Sequence, residues 1–330
     1  MTFRIGLLST ARINRLVLAG ARASRLVEVT AVASRDGDRA RAYAAKHGIP
    51  HAHESYDALL ADPEVDAVYV SLPNAMHVEW TRRALEAGKH VLCEKPLSRR
   101  PEEVEALFDR AERSGLTLTE GFMWRHHPQA DALMRLVGSG AVGRLRLVRA
   151  AFSFQLAAVH GAADARFDPA LDGGSLMDVG CYCVSALRLV AGEPTSVRAE
   201  RVVGPSGVDV VVAAVLRFAD GVVGHLDCGL VLPYRDELEV VGDVASVFLD
   251  DPWHARAPVL EVRREPEPER IVSERVDVAT ADAYRLELEN LADAVAGRAP
   301  LLLGRDDAVG QARVLDALHR SAESGFPVDL

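Results

Sequence analysis

The sequence predicts an α/β protein in two parts: a doubly wound parallel sheet, followed by an α+β domain with a mainly antiparallel sheet. Two observations carry this. Over the first 120 or so residues short apolar runs alternate with amphipathic ones; after about Gly143, strand-like runs follow one another with only short turns between them. Strand–helix alternation specifies parallel strands joined by right-handed crossovers. Strands linked directly by turns make an antiparallel sheet. A chain of 330 residues also suits two domains at roughly 100 to 200 residues each.

The first part reads FRIGLL, a helix near Asn14 to Ser24, VEVTAVAS, a helix near Asp38 to His47, DAVYVSL, a helix beginning near His77, HVLC, a helix after Pro101, and LTLTEG. That is five strands and at least four helices. In the second part RLRLVRAAFSF, SVRAERVV, VDVVVAAVLRF, VVGHLDCGLVL and DELEVVG read as strands, with turns such as Pro205-Ser206-Gly207 and Asp220-Gly221 between them. Helices are expected near Met177 to Ala191 and near Ala283 to Ala296. Arg263 to Glu269, with Pro266 and Pro268 among charges, reads as an exposed loop or edge strand.

A net charge of -10 repels a phosphate backbone, and no long Lys/Arg run offsets it, so nucleic acid is not an expected partner. No segment offers the ~18 uninterrupted apolar residues of a membrane helix, and the start, MTFRIGLLST, turns polar too soon for a leader. A cytoplasmic protein is expected. Cys93, Cys181, Cys183 and Cys228 lack C-x-x-C spacing and read as free, partly buried thiols. His126 and His127 invite a metal reading, but neighbours on a helix point about a hundred degrees apart and no third ligand is evident. No metal is expected.

Ser9-Thr10-Ala11-Arg12-Ile13-Asn14 occupies the turn after the first strand, where a Rossmann fold places its phosphate-binding fingerprint. Ser9, Ala11 and Asn14 stand where that fingerprint wants glycines, so the match is poor, but small residues at 9 and 11 still let the backbone approach a pyrophosphate. The second strand ends Ala33-Ser34-Arg35, with Asp36 only afterwards. A hydroxyl and a guanidinium, with Arg39 one turn on, suit a 2′-phosphate and favour NADP(H) over NAD(H). Arg35 on its own reads equally as a solvated surface residue.

Gly88-Lys89-His90-Val91-Leu92-Cys93-Glu94-Lys95-Pro96-Leu97 resembles the E-K-P motif of the glucose-fructose oxidoreductase and inositol dehydrogenase family, Gfo/Idh/MocA. Further similarities follow in order: Leu72-Pro73-Asn74 with His77, Glu120 to Arg125, Gly173 to Tyr182, then Tyr284, Glu287 and Asn290 before HRSAESG. The likeness spans nearly the whole chain. It implies a Rossmann domain, placed at residues 1–122, and a substrate-binding and oligomerisation domain, residues 123–330, with a large open sheet, the C-terminal helix packing back on the first domain. It implies hydride transfer between NAD(P) and a carbon bearing a hydroxyl on a sugar, cyclitol or related diol. It assigns catalysis to Lys95, Asp178 and Tyr182. Tyrosine rather than histidine at 182 places the chain with the sugar and dihydrodiol dehydrogenase members.

Oxidising an alcohol requires a base for the hydroxyl proton, and a tyrosine titrating near ~10 serves only if a cation stabilises its phenolate. Lys95 would supply that cation, and a four-residue helical spacing would put Asp178 and Tyr182 on one face. Expected cofactor contacts are Ser9, Thr10, Ala11, Arg12, Ile13, Ser34, Arg35, Arg39, Leu72, Pro73, Asn74, His77, Glu94, Lys95, Trp124 and Arg125. Expected substrate contacts are Lys95, Trp124, Phe154, His160, Arg166, Asp178 and Tyr182. Singly these have plainer readings: E-K-P as a turn before a helix, Asn74 as a loop cap, Trp124 as core. Two other functions remain open, a redox-neutral glycoside-processing or isomerising enzyme with a tightly held cofactor and an inactive NADP(H)-sensing regulator. The long apolar strands VDVVVAAVLRF and VVGHLDCGLVL predict a homodimer or homotetramer through the open sheet face.

Overall fold

The computed structural model describes residues 2–267 and 269–330, so Pro268 of the expected loop or edge strand lies outside the described residues. The chain divides into two compact units. One comprises the residues up to His126 together with Asp282–Val309, the other His127–Ala281 with Gly310–Leu330.

The first unit holds a six-stranded parallel sheet: β1 (Phe3–Leu7), β2 (Val27–Ala33), β3 (His51–His53), β4 (Ala67–Val70), β5 (His90–Glu94) and β6 (Leu118–Gly121), in the order β3-β2-β1-β4-β5-β6. The short β3 goes unpredicted because three residues carry no readable periodicity. Crossovers run through α1 (Asn14–Ala23), α2 (Gly37–His47), α3 (Tyr56–Leu60), α4 (His77–Glu86) and α5 (Pro101–Arg113). Their starts follow capping rules: the Asp36 carboxylate accepts the Arg39 N–H, the Ser55 hydroxyl accepts the Ala58 N–H, and Pro101 occupies the first turn of α5. Ile5, Leu7, Val29, Val32, Tyr69 and Leu92 pack with Val17 and Leu18 of α1 and Leu288 and Leu291 of a later helix. That helix, at Ala283–Val295, crosses α1 closely enough that a Cβ on Gly20 would meet the Arg285 amide nitrogen at 2.7 Å.

The second unit begins with α6 (Pro128–Gly138), then β7 (Leu145–Gln155), α7 (Leu156–His160) and α8 (Cys181–Ala191). Strands β8 (Pro194–Val203), β9 (Asp209–Phe218), β10 (Val223–Gly229), β11 (Val231–Gly242), β12 (Ala245–Asp250), β13 (Val259–Glu267), β14 (Arg270–Asp277) and β15 (Val328–Asp329) complete a nine-stranded sheet, β14-β13-β12-β11-β7-β10-β9-β8-β15. It is mainly antiparallel, but β7 and β10 pair in parallel. The expected loop at 263–267 is the end of β13, hairpin partner of the edge strand β14. After α9 (Ala283–Val295, described above) comes the unpredicted α10 (Arg305–Ser324).

The stretch Pro169–Ala191 is long and apolar enough in composition to cross a membrane, but 83% of its apolar window is buried: it contains the core helix α8. The outer face of the large sheet is less apolar than its strands suggest. Val211, Val215 and Val223 share it with His225 and with the ion pairs Arg149–Glu239 (3.2 Å), Arg235–Asp227 and Arg263–Glu261 (2.9 Å). The reason is strand alternation: buried Leu226, Leu238 and Val240 face inward and leave the charged positions outside.

Candidate functional site

In a parallel sheet every strand ends on the same edge, so the loops after β1, β2, β4, β5 and β6 gather there. They are the loops that carry the residues expected to hold a dinucleotide. After β1, the Ser9 hydroxyl accepts the Ala11 N–H at 3.0 Å and bonds Ser71, and the Asn14 amide donates to the Ser9 carbonyl at 2.8 Å. Ser9 and Asn14 thus turn inward and brace the turn, while Thr10, Ala11, Arg12 and Ile13 remain accessible at the start of α1.

After β2, Ser34 is buried and its hydroxyl accepts the Asp36 N–H at 3.2 Å. Asp36, by capping α2, is committed to the helix. Arg35 and Arg39 are exposed and both pull on the Tyr56 phenol, but burial outweighs them and pushes it up, so it stays neutral. Tyr56 stacks edge-on against Trp80 at 4.8 Å. Two exposed guanidiniums beside a neutral hydroxyl fit a phosphate. Tyr56 has no motif to announce it, because it enters from α3, outside the fingerprint.

After β4 come buried Leu72, then Pro73 and Asn74, the last opening a 3-10 turn. His77 is buried, with Nε2 2.8 Å from the Leu72 carbonyl oxygen and Nδ1 2.8 Å from that of Pro96. Both ring nitrogens are thus engaged with backbone carbonyls. After β5, Glu94 accepts a short hydrogen bond from the Tyr69 hydroxyl, and the Lys95–Pro96 peptide is cis. Glu287 of α9 is buried; burial first, then Glu94, pushes its carboxyl well above the usual range. After β6, Trp124 is buried and Arg125 pairs with Asp307 at 3.2 Å. His126 is held down to about 3 by burial and by Arg125 and is therefore neutral.

In the second unit the residues 174–182 make a distinctive turn. The Asp209 carboxylate accepts from the Ser175 hydroxyl (2.7 Å) and the Leu176 amide (2.8 Å), pinning its start. Leu176–Gly180 is a π-turn feeding α8, and a Cβ on Gly180 would strike the Cys228 sulfur at 2.8 Å. The four-residue spacing between Asp178 and Tyr182 thus begins in a π-turn and ends in α8. Asp178 meets the Arg166 guanidinium at 3.2 Å. Arg166 also grips Asp164 (2.8 Å) and lies 5.7 Å over the Phe154 ring, which touches His160 edge-on at 6.5 Å. Burial raises the Asp164 carboxyl, but Arg166 outweighs it and holds the group below its usual range.

Tyr182, 8% exposed, is set between Phe152 (5.4 Å, edge-on) and Trp253 (5.9 Å). Phe154, His160, Arg166, Asp178 and Tyr182 thus form one connected cluster. Phe152 and Trp253 belong to it and go unpredicted. Trp253 is fixed by its indole N–H on the Ala151 carbonyl and its amide on Asp236, both at 3.3 Å. Among the described residues, Asp236, Asp251 and His254 are spaced closely enough to hold a cation, and the Arg256 guanidinium already sits 2.9 Å from Asp251 and 3.6 Å from Asp236. The four cysteines are buried thiols, none of them in a disulfide.

Family models match both parts: residues 3–122 match an oxidoreductase family with an NAD-binding Rossmann fold, and residues 131–248 the GFO/IDH/MocA C-terminal domain. The chain is 39% identical to the D-xylose 1-dehydrogenase (NADP(+)) 2 of Haloferax volcanii, covering 98% of this chain and 99% of that protein. It is 36% identical to the trans-1,2-dihydrobenzene-1,2-diol dehydrogenase of Bos taurus over 68% of this chain and 67% of that one. Among solved structures, KijD10, a 3-ketoreductase from Actinomadura kijaniata in complex with NADP and TDP-benzene, superposes with a TM-score of 0.90 at 31% identity, covering 97% of this chain and 98% of that one. With both halves matched and the E-K-P and G-G-S-L-M-D-V-G-C-Y segments in place, the chain belongs to the Gfo/Idh/MocA oxidoreductase family.

Proposed function

We propose that this protein is an NADP(H)-preferring dehydrogenase or reductase acting on a CH–OH carbon of an uncharged sugar, cyclitol or related diol, with D-xylose and other aldoses the first candidates. The observation that carries the reading is the Tyr182 phenol, clamped by two aromatic rings in the cluster that also holds the Asp178–Arg166 pair, in a chain whose other unit is an NAD-binding Rossmann fold. The accessible turn at 10–13 would take the pyrophosphate, and Arg35 with Arg39 the 2′-phosphate. Bound NADP(H) supplies the hydride acceptor or donor. Tyr182 takes the hydroxyl proton in oxidation and returns it in reduction, with Lys95 assisting the proton transfer. Asp178, already oriented by Arg166, aligns the hydroxyl. Four buried thiols, none of them in a disulfide, suit the reducing cytoplasm, where we place the protein.

A panel of aldoses, inositols, keto-sugars and trans-dihydrodiols with NADP+ or NADPH, followed by absorbance of the reduced cofactor, tests the reading. Net NADPH formation with at least one aldose or diol is expected. No net change with any of them would overturn it in favour of redox-neutral chemistry. We also infer a homodimer or homotetramer through the outer face of the large sheet, where valines alternate with ion pairs that a second copy could complement. Sedimentation showing a monomer at micromolar concentration refutes that.

A further inference from the structure

We propose that His77 is held as a buried imidazolium whose two N–H groups clamp the loop after β4 to the Lys95–Pro96 loop, making it a positioning residue for Lys95. The geometry is simple. One ring nitrogen lies 2.8 Å from the Leu72 carbonyl oxygen and the other 2.8 Å from the Pro96 carbonyl oxygen. Backbone carbonyls only accept, and a neutral imidazole has a single N–H. A neutral ring would aim a nitrogen lone pair at a carbonyl lone pair at full hydrogen-bond distance, in a place where the side chain is 1% exposed and water cannot intervene. Two acceptors therefore call for two donors, which only the protonated ring provides.

A buried cation needs compensation, and the surrounding elements supply it. From β6, Glu120 is 1% exposed and accepts the amide of Leu97, the residue after Pro96, at 2.7 Å. From β5, Glu94 stands two residues before Pro96. Both carboxylates act on the Cys93 thiol, and Glu120 and His77 hold the same short loop, one through the Leu97 amide and the other through the Pro96 carbonyl. Burial pushes the Cys93 thiol and the β4 phenol Tyr69 well up, leaving both neutral. The acids of this neighbourhood are thus Glu94 and Glu120, and its basic groups are His77 and Lys95. A fixed cation beside the residue next to Lys95 opposes its ammonium form and eases proton exchange there.

The protonation state does not depend on the proposed activity; only the relevance of Lys95 rests on it. The protein has eleven histidines and three lysines, Lys46, Lys89 and Lys95, so both groups can be followed by NMR without a substrate. In histidine-labelled protein at a pH where ordinary imidazoles are neutral, about 8.5, one ring is expected with both nitrogens protonated. Its assignment comes from couplings across the hydrogen bonds to the Leu72 and Pro96 carbonyl carbons, and H77Q should abolish it. In 13C-methylated protein, with Lys95 assigned through K95M, H77Q should raise the Lys95 titration by about one pH unit and leave Lys46 unchanged. A His77 ring with one bare nitrogen at that pH overturns the proposal even if the variant fails to fold. An unmoved Lys95 titration overturns the positioning role. A failed sugar panel would strike the proposed activity and leave these two readouts standing.

Discussion

Replacing Lys95 by Met or Tyr182 by Phe should each lower turnover by ~100- to 10,000-fold and leave NADP(H) affinity within a few fold, the signature of losing a proton-transferring group. The structure makes Tyr182→Phe a clean test. The ring is held by Phe152 and Trp253 through contacts that a phenylalanine would keep, so the variant deletes little besides the hydroxyl. Met at position 95 likewise keeps the length of the stem and removes the charge. Oxidation should accelerate as pH rises toward the ordinary phenol range of ~10, because the base is then already deprotonated, and reduction should slow over the same interval. A Tyr182→Phe enzyme with near-normal turnover and an unchanged pH profile would show that another group carries the proton. His160, which touches Phe154 within the same cluster, is then the residue to replace.

The parts of this site that are legible in the sequence are those whose residues lie next to one another. E-K-P, the residues 173–182 and the Ser34-Arg35 strand end are contiguous, and the parallel order of the first sheet follows from strand–helix alternation. What escapes is set by packing between distant segments. Phe152 lies directly opposite Asp236 across the β7–β11 ladder, and Asp236 in turn holds Trp253, a relationship created by strand register that no window of residues displays. Tyr56 comes under the influence of Arg35 for the same reason. The π-turn at 176–180 is invisible too, because its cause is the Asp209 carboxylate and the crowding of Gly180 against Cys228. His77 shows a further limit: its motif is plain, but the motif does not reveal that its ring nitrogens meet the carbonyls of Leu72 and Pro96.

The Arg35→Ala protein should bind NADP(H) about ten- to a hundred-and-fifty-fold more weakly, the effect of one charge-assisted phosphate contact worth roughly 1.5–3 kcal/mol. NAD(H) affinity should change much less, because the unphosphorylated ribose gives the guanidinium no anion to bind. The structure sharpens this expectation. Asp36, the acid nearest the end of β2, caps α2 through the Arg39 N–H, so it is engaged where an NAD-selective carboxylate would need to meet ribose hydroxyls. Arg35 and Arg39 both act on the Tyr56 hydroxyl, so Arg39 is a second cation at the same place. Arg39→Ala should therefore weaken NADP(H) by a smaller factor, and the double variant should approach equal affinity for the two cofactors. Tyr56→Phe, which keeps the ring against Trp80 and removes only the hydroxyl, should cost a few fold at most. Calorimetry on these variants with both cofactors decides the matter. Equal dissociation constants for NADP(H) and NAD(H) in the unmodified protein, or an Arg35→Ala variant that loses both cofactors to the same extent, would show that the 2′-phosphate is not read at the end of β2.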